Sequence, residues 1–292
     1  MKELALRGGG SLWITSSSFF TYHAGAILDN GVACLVDPGL LPQEIDSLAR
    51  RVADSGAALT SIILTHGHWD HILGPERVAD VPTIAHAAFP KEESDPRVHR
   101  VAGQVAKWFA EQRIERSRPF AVPRPDETFD PVCERAIGDV RIRLIHAPGH
   151  AEDHAIVRFE EDGILWAADM LSDLEIPYIC HSLIQYEQTL ERLSMLDPSL
   201  LVPAHGTITR DVSEIRRRFD ADRIYLSALH DRVELAVRDG CTVEETVKRC
   251  ADMEFVNPRE NHRTHQLNIE QAFCELGGRA DAASLGWNRL HL

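Results

Sequence analysis

The sequence lacks several features that would each assign a class of protein. It has no run of about 18 or more apolar residues, so we predict no membrane-spanning helix and no membrane partner. Its first residues, Met1 to Gly8, lack the apolar stretch of a secretory signal, and a cytoplasmic protein is therefore expected by default. The cysteines form no Cys-x-x-Cys pair, which excludes a zinc ribbon or a thioredoxin-like site and predicts reduced, mostly buried thiols.

Positive charge is also scarce. The 31 Lys and Arg residues stand against 45 Asp and Glu, which gives a formal net charge of −14 at pH 7. Such a surface repels phosphate backbones and argues against nucleic acid as a partner. The longest basic run, Arg216 to Arg218, is short and is typical of a solvated helix face. A small-molecule substrate is the expected partner, and a homodimer is kept open.

Apolar strand patterns alternate with amphipathic helix patterns along most of the chain. Its 292 residues, 44% of them hydrophobic, have room for one large α/β domain with or without a small appendage. The alternation occurs in two successive halves and indicates an α/β architecture. The predicted strands span 31–38, 59–66, 81–86, 140–147, 154–160, 163–169 and 200–204, and the predicted helices between them span 42–55 and 183–196.

Two segments fall outside this alternation. The first, residues 87–130, has an amphipathic helix after Asp95-Pro96 between polar loops. We interpret it as an inserted helical cap beside the active site or, with equal weight, as a helix that only packs on the sheet. The second, residues 211–292, is predicted to be a C-terminal helical module. The predicted domains are therefore a catalytic domain over 1–210, which contains the insertion, and this module. Helical patterns in the module cover 211–238, a segment opened by Thr242, and 262–276.

Candidate metal ligands follow the ends of four predicted strands. The segment from His66 to His71, His-Gly-His-Trp-Asp-His, supplies four of them within six residues. A strand end can splay such side chains around a point, whereas a helix could not place them on one face. Three later strands end in His150, Asp169 and His205. Because ligands collect at strand ends in α/β sheets, these residues can surround one site. Imidazole and carboxylate suit zinc, and also iron or manganese.

In this order the motifs resemble the signature of the metallo-β-lactamase superfamily, over about residues 12–210. The Pro-Gly-His-x-x-Asp-His stretch from Pro148 to His154 is similar to the subgroup of β-lactamase-like proteins with a winged-helix-like C-terminal module. The resemblance implies an αββα sandwich with the metals at one edge. It implies a first metal ion held by His66, His68 and His150, a second held by Asp70, His71 and His205, and Asp169 bridging the two. Asp37 matches an aspartate that supports the site without ligating metal.

The resemblance further implies a hydrolase with two divalent metal ions per chain, expected to be Zn²⁺, with Fe or Mn as alternatives. A hydroxide held by the metals would attack the substrate, and Asp70, the expected catalytic residue, would accept its proton. No serine nucleophile is required, and the Gly-x-Ser-x-Gly motif of serine hydrolases is absent. The expected substrate is a small-molecule ester, thioester or lactone.

Departures from known subgroups narrow this expectation. Asp169 and the missing export signal argue against antibiotic hydrolysis, and Ser172 stands where homoserine-lactone lactonases commonly have a tyrosine. The stretch from Gly149 to His154 departs at two positions from the glyoxalase II motif. A phosphodiesterase or ribonuclease of the same fold and a mononuclear-iron persulfide dioxygenase stay open, although the complete second ligand set favours hydrolysis. The remaining histidines, among them His86 and His154, are expected to be hydrogen-bonded surface residues rather than ligands, and His146 is a weak candidate ligand because it precedes a Pro-Gly turn.

Overall fold

This computed structural model of the chain describes residues 1–78, 80–115 and 119–280. The described residues form two sheets and six helices, and the predicted α/β class is confirmed. The strands are β1 (Lys2–Ala5), β2 (Ser11–Ser16), β3 (His23–Asp29), β4 (Val32–Val36), β5 (Ala58–Ile63), β6 (Thr83–His86), β7 (Glu127–Phe129), β8 (Val132–Ile137), β9 (Val140–His146), β10 (Ala155–Phe159), β11 (Ile164–Ala168) and β12 (Leu200–Pro203). The helices are α1 (Pro42–Asp54), α2 (Pro96–Glu111), α3 (Leu183–Ser194), α4 (Val212–Arg238), α5 (Val243–Arg249) and α6 (Pro258–Glu275).

The chain divides into two compact units, which are described separately. Unit 1 comprises Met1–His146 with Asp153–Ile164, and unit 2 comprises Ala147–Glu152 with the residues from Leu165 onward. Unit 1 therefore contains α1, α2 and the strands β1 to β10. Unit 2 contains β11 after its first residue, β12, and the helices α3 to α6.

The seven-stranded sheet of unit 1 brings several loop segments to one edge. Its order is β1-β2-β3-β4-β5-β6-β7, antiparallel as far as β4 and parallel from there. Parallel strands end at the same edge, so the residues after β4 and β5 become neighbours. Val36 pairs with Ile63, and the amide of Asp37 donates to the carbonyl of Ile63 at 3.1 Å. This register places Asp37 beside the histidine-rich loop that follows β5.

The antiparallel strands β8, β9 and β10 belong to the second sheet and add another segment to the same loop. His146 at the end of β9 pairs with Ala155 at the start of β10. The amide of Ala155 donates to the carbonyl of Thr65 at 2.8 Å, just after β5. The residues before β10, Asp153 and His154, are thereby brought against the histidine-rich loop.

The inserted helix is confirmed as α2, but the segment that contains it is not wholly an insertion. Asp95 caps the helix by accepting from the amide of Arg97, and the apolar face of α2 is buried. The predicted segment 87–130 also contains β7, which pairs in parallel with β6. Sheet pairing over long sequence separation, which local periodicity does not reveal, explains why β7 was not predicted.

The helices of unit 2 follow the predicted pattern, although α6 begins earlier than predicted. The capping box of Thr242 and Glu245 opens α5 as expected. Helix α6 begins at Pro258, four residues before the predicted start at 262, because Asn257-Pro258 provides its N-terminus. The last part of the predicted C-terminal module, 281–292, lies outside the described residues. Among the described residues, no helix combines the length and the hydropathy that a membrane span requires.

The prediction of mostly buried cysteines is wrong for four of the six. Only Cys34 and Cys250 are buried, because they lie on β4 and at the end of α5. The others are partly or fully exposed, namely Cys133, Cys180, Cys241 and Cys274. All six lie within the described residues and form no disulfide.

Candidate metal centre

The loop after β5 gathers four candidate ligands of unit 1 into one cluster. His66 is fully buried, and its ring centroid lies 4.5 Å from that of His68 and 4.1 Å from that of His71. The carboxylate of Asp70 lies 3.5 Å from Nε2 of His71. Three imidazoles and one carboxylate therefore converge within unit 1, as the spacing of the motif predicts.

A buried aspartate sets the orientation of His71. Asp37 accepts from the amide of Thr65 at 2.9 Å and from the hydroxyl of Thr65 at 2.6 Å. Its Oδ2 atom also lies 3.0 Å from Nδ1 of His71. A carboxylate at this atom favours the tautomer with a proton on Nδ1 and leaves Nε2 with a lone pair for a metal ion. Asp37 thus contacts a proposed ligand, His71, at Nδ1 and leaves Nε2 for the metal ion.

The glycine between His66 and His68 is held by Asp153, the aspartate of the Pro148 to His154 stretch, to which the sequence analysis gave no role. The amide of Gly67 donates to Oδ2 of Asp153 at 2.7 Å, and Asp153 is buried. A methyl group at Gly67 would lie 2.6 Å from ring atoms of Pro90, so the close approach requires glycine. The neighbouring His154, expected to be a hydrogen-bonded surface histidine, is instead fully buried, and its ring centroid lies 5.1 Å from that of His66.

In unit 2 the two remaining candidate histidines, His150 and His205, lie against the third candidate ligand, Asp169. Its Oδ2 atom lies 3.2 Å from Nε2 of His150, and its Oδ1 atom lies 3.4 Å from Nε2 of His205. Two imidazoles thus approach the two oxygens of one carboxylate. Such an arrangement is suited to a carboxylate that bridges two metal ions.

The chain on either side of Asp169 has unusual backbone angles. Ala168 has φ +48° and Leu171 has φ +62°, a region that residues with a side chain seldom adopt. The amide of Ala204, at the end of β12, donates to the carbonyl of Ala168 at 2.7 Å. The loops that carry Asp169 and His205 are therefore joined at their base, and the strain is maintained by surrounding contacts.

Helix α4 secures those two loops through a buried arginine. Arg218 donates to the carbonyl of Thr207 at 2.9 Å and to that of Leu171 at 3.3 Å, and it pairs with Asp173 at 3.4 Å. Burial alone would raise the pKa of Asp173, but hydrogen bonds from Thr207 and the charge of Arg218 outweigh it and hold the pKa below its ordinary value. Asp173 is thus an anion that ties the two loops to the helix.

His150 is oriented by a tyrosine that the sequence analysis passed over. The Nδ1 atom of His150 lies 2.9 Å from the carbonyl oxygen of Tyr178, and the two ring centroids are 5.8 Å apart. The carbonyl accepts a hydrogen bond, so the proton lies on Nδ1 and Nε2 is directed to Asp169. The loop that offers Ser172 thus also supplies a tyrosine, Tyr178, beside His150.

Helix α6 holds the backbone on both sides of Tyr178. Asn268, fully buried, accepts from the amide of Ile179 at 2.8 Å and donates to the carbonyl of Pro177 at 2.6 Å. The side-chain amide also donates to the hydroxyl of Tyr225 at 3.0 Å. A C-terminal helix thereby positions the carbonyl group that orients His150.

A third group of possible ligands, His86, Asp130 and His146, fits hydrogen bonding better than metal binding. The rings of His86 and His146 are stacked, with centroids 3.6 Å apart and planes 9° apart. Lone pairs in parallel planes cannot both point at one ion at a distance of about 2 Å. The Nδ1 atom of His86 accepts from the amide of Ala88 at 3.2 Å, which places the imidazole proton on Nε2, 3.5 Å from Asp130. His86 is therefore hydrogen-bonded as expected, but it is buried rather than at the surface.

Comparisons with known proteins agree with this fold. A family model described as the metallo-beta-lactamase superfamily matches residues 19–205. An atrochrysone carboxyl ACP thioesterase from Aspergillus chevalieri is 25% identical over 222 residues, 73% of this chain and 62% of that protein. A beta-lactamase-like protein 2 homolog from Drosophila melanogaster is 25% identical over 184 residues, 61% of this chain and 56% of that protein.

A solved structure of a metallo-beta-lactamase family protein from Thermus thermophilus has a TM-score of 0.65 at 20% identity, covering 94% of this chain and 97% of that one. This likeness confirms the sandwich fold and, at such identity, shows the fold alone. The alignments span 62% and 56% of the Aspergillus and Drosophila relatives and 51% of a lactamase-like protein, aptB, from Emericella nidulans, so the chain covers less than two thirds of each.

Proposed function

The chain belongs to the metallo-β-lactamase superfamily, and we propose that it is a hydrolase that uses two divalent metal ions to cleave a small-molecule ester, thioester or lactone. The family resemblance assigns His66, His68 and His150 to the first ion and Asp70, His71 and His205 to the second, with Asp169 shared. Zn²⁺ is the proposed metal because the donors are imidazoles and carboxylates, which also suit iron and manganese.

One observation carries the proposal. In both units a ligand histidine has its Nδ1 atom engaged by a hydrogen-bond acceptor, Asp37 for His71 and the carbonyl of Tyr178 for His150. Imidazoles held in this way present Nε2 in a fixed direction, as metal ligands do in other proteins. A degenerate homologue without metal has no need for two such arrangements. The donor set therefore fits a pair of divalent ions.

When bound, the two ions supply Lewis-acid polarisation of the substrate oxygen and lower the pKa of a water molecule. Asp70, buried beside His71, is the proposed acceptor of the proton that water loses. In the hydrolysis the acyl carbon gains an oxygen atom from water and its bond to the leaving oxygen or sulfur breaks. The leaving group takes up a proton, so that water is divided between the two products.

The proposed substrate class rests on two considerations. One relative bears the name of an acyl-carrier-protein thioesterase, which is in keeping with acyl transfer to water. Within unit 2, a pocket of about 370 Å³ lies between α6 and the loop that contains Tyr178. Tyr178 lines this pocket, and its ring centroid lies 5.8 Å from that of His150, so a pocket one side chain away from a proposed ligand offers room for part of a small substrate.

The proposal is tested by a panel of esters, thioesters, lactones, phosphodiesters and persulfides, assayed with protein that is metal-free or reloaded with Zn²⁺. We expect zinc-dependent hydrolysis of an acyl substrate, lost in Asp70→Asn. Asp130→Asn is the matched control, because Asp130 is an exposed carboxylate outside both ligand sets. Turnover of phosphodiesters alone would identify a phosphodiesterase, and oxygen consumption with persulfides would identify a dioxygenase. Either outcome would contradict the proposal.

A further inference from the structure

An aromatic cluster in unit 1 extends from a candidate metal ligand to the protein surface. Its rings contact one another in sequence, with centroids between 4.9 Å and 6.4 Å apart. Offset and edge-to-face contacts at such distances are favourable for aromatic rings. The cluster consists of Tyr22, Phe20, Phe19, Trp69, Trp108 and Phe109.

The cluster has a buried inner part and an accessible outer part. Tyr22, Trp108 and Phe109 are buried. Phe20 and Trp69 are half-buried, and Phe19 is 46% exposed. Single exposed apolar residues are common, but three adjoining aromatic rings form a continuous apolar surface, which is typical of a binding site. We call Phe19, Phe20 and Trp69 the aromatic wall.

The aromatic wall is linked to the proposed metal ligands in two ways. Trp69 lies in sequence between His68 and Asp70, and its ring centroid is 6.4 Å from that of Phe20. Tyr22, next in the cluster, has its ring centroid 5.3 Å from that of His71. The aromatic cluster thus contacts the ligand cluster through the buried Tyr22, and the wall carries Trp69 from within the ligand motif itself.

Polar contacts hold the wall in place without covering it. The loop that carries Phe19 and Phe20 is anchored by Glu44 at the start of α1, which accepts from the amide and hydroxyl of Ser18 at 2.8 Å and 2.9 Å and from the hydroxyl of Ser17 at 3.1 Å. From the other side Trp108 of α2 packs on Phe19 and Trp69, with centroids 6.0 Å and 5.2 Å apart. A rigid aromatic surface binds an apolar group with little loss of conformational entropy.

We propose that the aromatic wall binds the acyl part of the substrate, and that this acyl part is apolar and contains an aromatic ring. The inference rests on the proposed function, since it names the substrate class of the same site. An aromatic acyl group would stack on Phe19, Phe20 and Trp69 while its carbonyl group lies at the ligand cluster. An acetyl group has little apolar surface and no ring to stack, so it would gain little from the wall.

The first test compares hydrolysis of phenylacetyl and acetyl thioesters that have the same leaving group. The zinc-loaded wild type should favour the phenylacetyl thioester in kcat/KM, and Phe19→Ala should reduce this preference about tenfold, mainly through KM. Ile224→Ala is the matched control, because Ile224 is 69% exposed on α4 in unit 2 and should leave the preference unchanged. A preference that is equal in wild type and Phe19→Ala would overturn the proposal.

A second measurement needs no catalysis and separates the two hypotheses. Binding of 2-phenylethanol, which has no reacting carbonyl, is followed by tryptophan fluorescence of wild type, Phe19→Ala and Ile224→Ala. Binding that only Phe19→Ala weakens would support the wall even if no substrate were hydrolysed, and then only the proposed function would fail. Hydrolysis without this binding would retain the function and overturn the wall. Binding to phosphatidylcholine vesicles that Phe19→Ala abolishes, with no change in substrate preference, would also overturn it by assigning the wall to a lipid surface.

Discussion

The Nδ1 atom of His71 lies 3.0 Å from Oδ2 of Asp37, and this carboxylate is fully buried behind the ligand cluster. The carboxylate of Asp37 accepts hydrogen bonds from Thr65 and lies against Nδ1 of His71. It therefore acts on the metal centre through the imidazole of His71. An amide at position 37 would keep the size of the side chain but remove the charge that favours the proton on Nδ1 of His71.

Asp37→Asn should therefore weaken binding of the second Zn²⁺ about 10- to 100-fold, the usual effect of losing such a supporting residue. Competition with a chromophoric chelator measures the affinity. Asp46→Asn is the control, because Asp46 pairs with Arg77 at the surface and touches no candidate ligand. Equal zinc affinity in wild type and Asp37→Asn would show that Asp37 does not support the centre.

The second prediction concerns α6. Asn268→Ala removes the side chain that holds the backbone beside Tyr178, so Nε2 of His150 should lose its fixed direction. We expect zinc affinity to fall about tenfold or more. Asn261→Ala is the control, because Asn261 is also a buried asparagine of α6 but binds the carbonyls of Leu174 and Val256.

Thermal unfolding of metal-free protein separates positioning from folding in this pair. Both variants should lose stability, and only Asn268→Ala should lose zinc affinity. A comparable loss of affinity in both variants would reduce the role of Asn268 to general stabilisation of unit 2.

The third prediction concerns the pH dependence of stability. Burial raises the pKa of Asp222 to about 8, against the opposing effects of a hydrogen bond from Leu171 and the charge of Arg218. Since the pKa of this carboxyl is 3.8 before burial, the folded chain binds a proton there that the unfolded chain lacks between about pH 4 and pH 8. The contribution of Asp222 to stability is complete below that range and is lost as the pH rises through it.

Asp222→Asn should therefore flatten the fall of the free energy of unfolding from about pH 5 to about pH 8. Urea unfolding at several pH values measures this slope in metal-free protein. Asp220→Asn is the control, because Asp220 is exposed on the same helix and pairs with Arg223. An unchanged slope in Asp222→Asn would show that the carboxyl is already ionised in the folded chain.

Features that depend on neighbouring residues could be predicted from the sequence. The N-terminal cap of α2 at Asp95 depends on residues within one helical turn. The cluster from His66 to His71 lies within one loop, so spacing in the sequence predicts both. The strand that precedes the cluster was predicted at 59–66 and is observed at Ala58–Ile63. Such boundaries shift by a few residues because strand ends depend on pairing.

Features that depend on distant residues could not be predicted in the same way. The contact between Asn268 and Ile179 joins positions 89 residues apart, and no periodic pattern in the sequence predicts it. The strands β1, β2 and β3 were missed as well, although Leu12 and Ile14 alternate with less buried residues in β2. Six residues are too few for such an alternation to stand out from a loop without the neighbouring strands.

The proposed binuclear centre depends most on Asp169, the carboxylate that the Nε2 atoms of both His150 and His205 approach. Asp169→Asn keeps the size of the side chain but removes its charge, so the proposed second ion should be lost before the first, which keeps its three imidazoles. Turnover should fall about 100-fold or more, because preorganised charge stabilisation is lost.

The most direct test is the metal content of wild type and Asp169→Asn, measured by elemental analysis after zinc loading and dialysis, with the hydrolysis rate measured on the same samples. We predict two zinc ions per wild-type chain and one per variant chain, with the variant nearly inactive. A wild-type chain that held one ion only, or a variant that kept two ions and near-normal turnover, would contradict the binuclear centre bridged by Asp169.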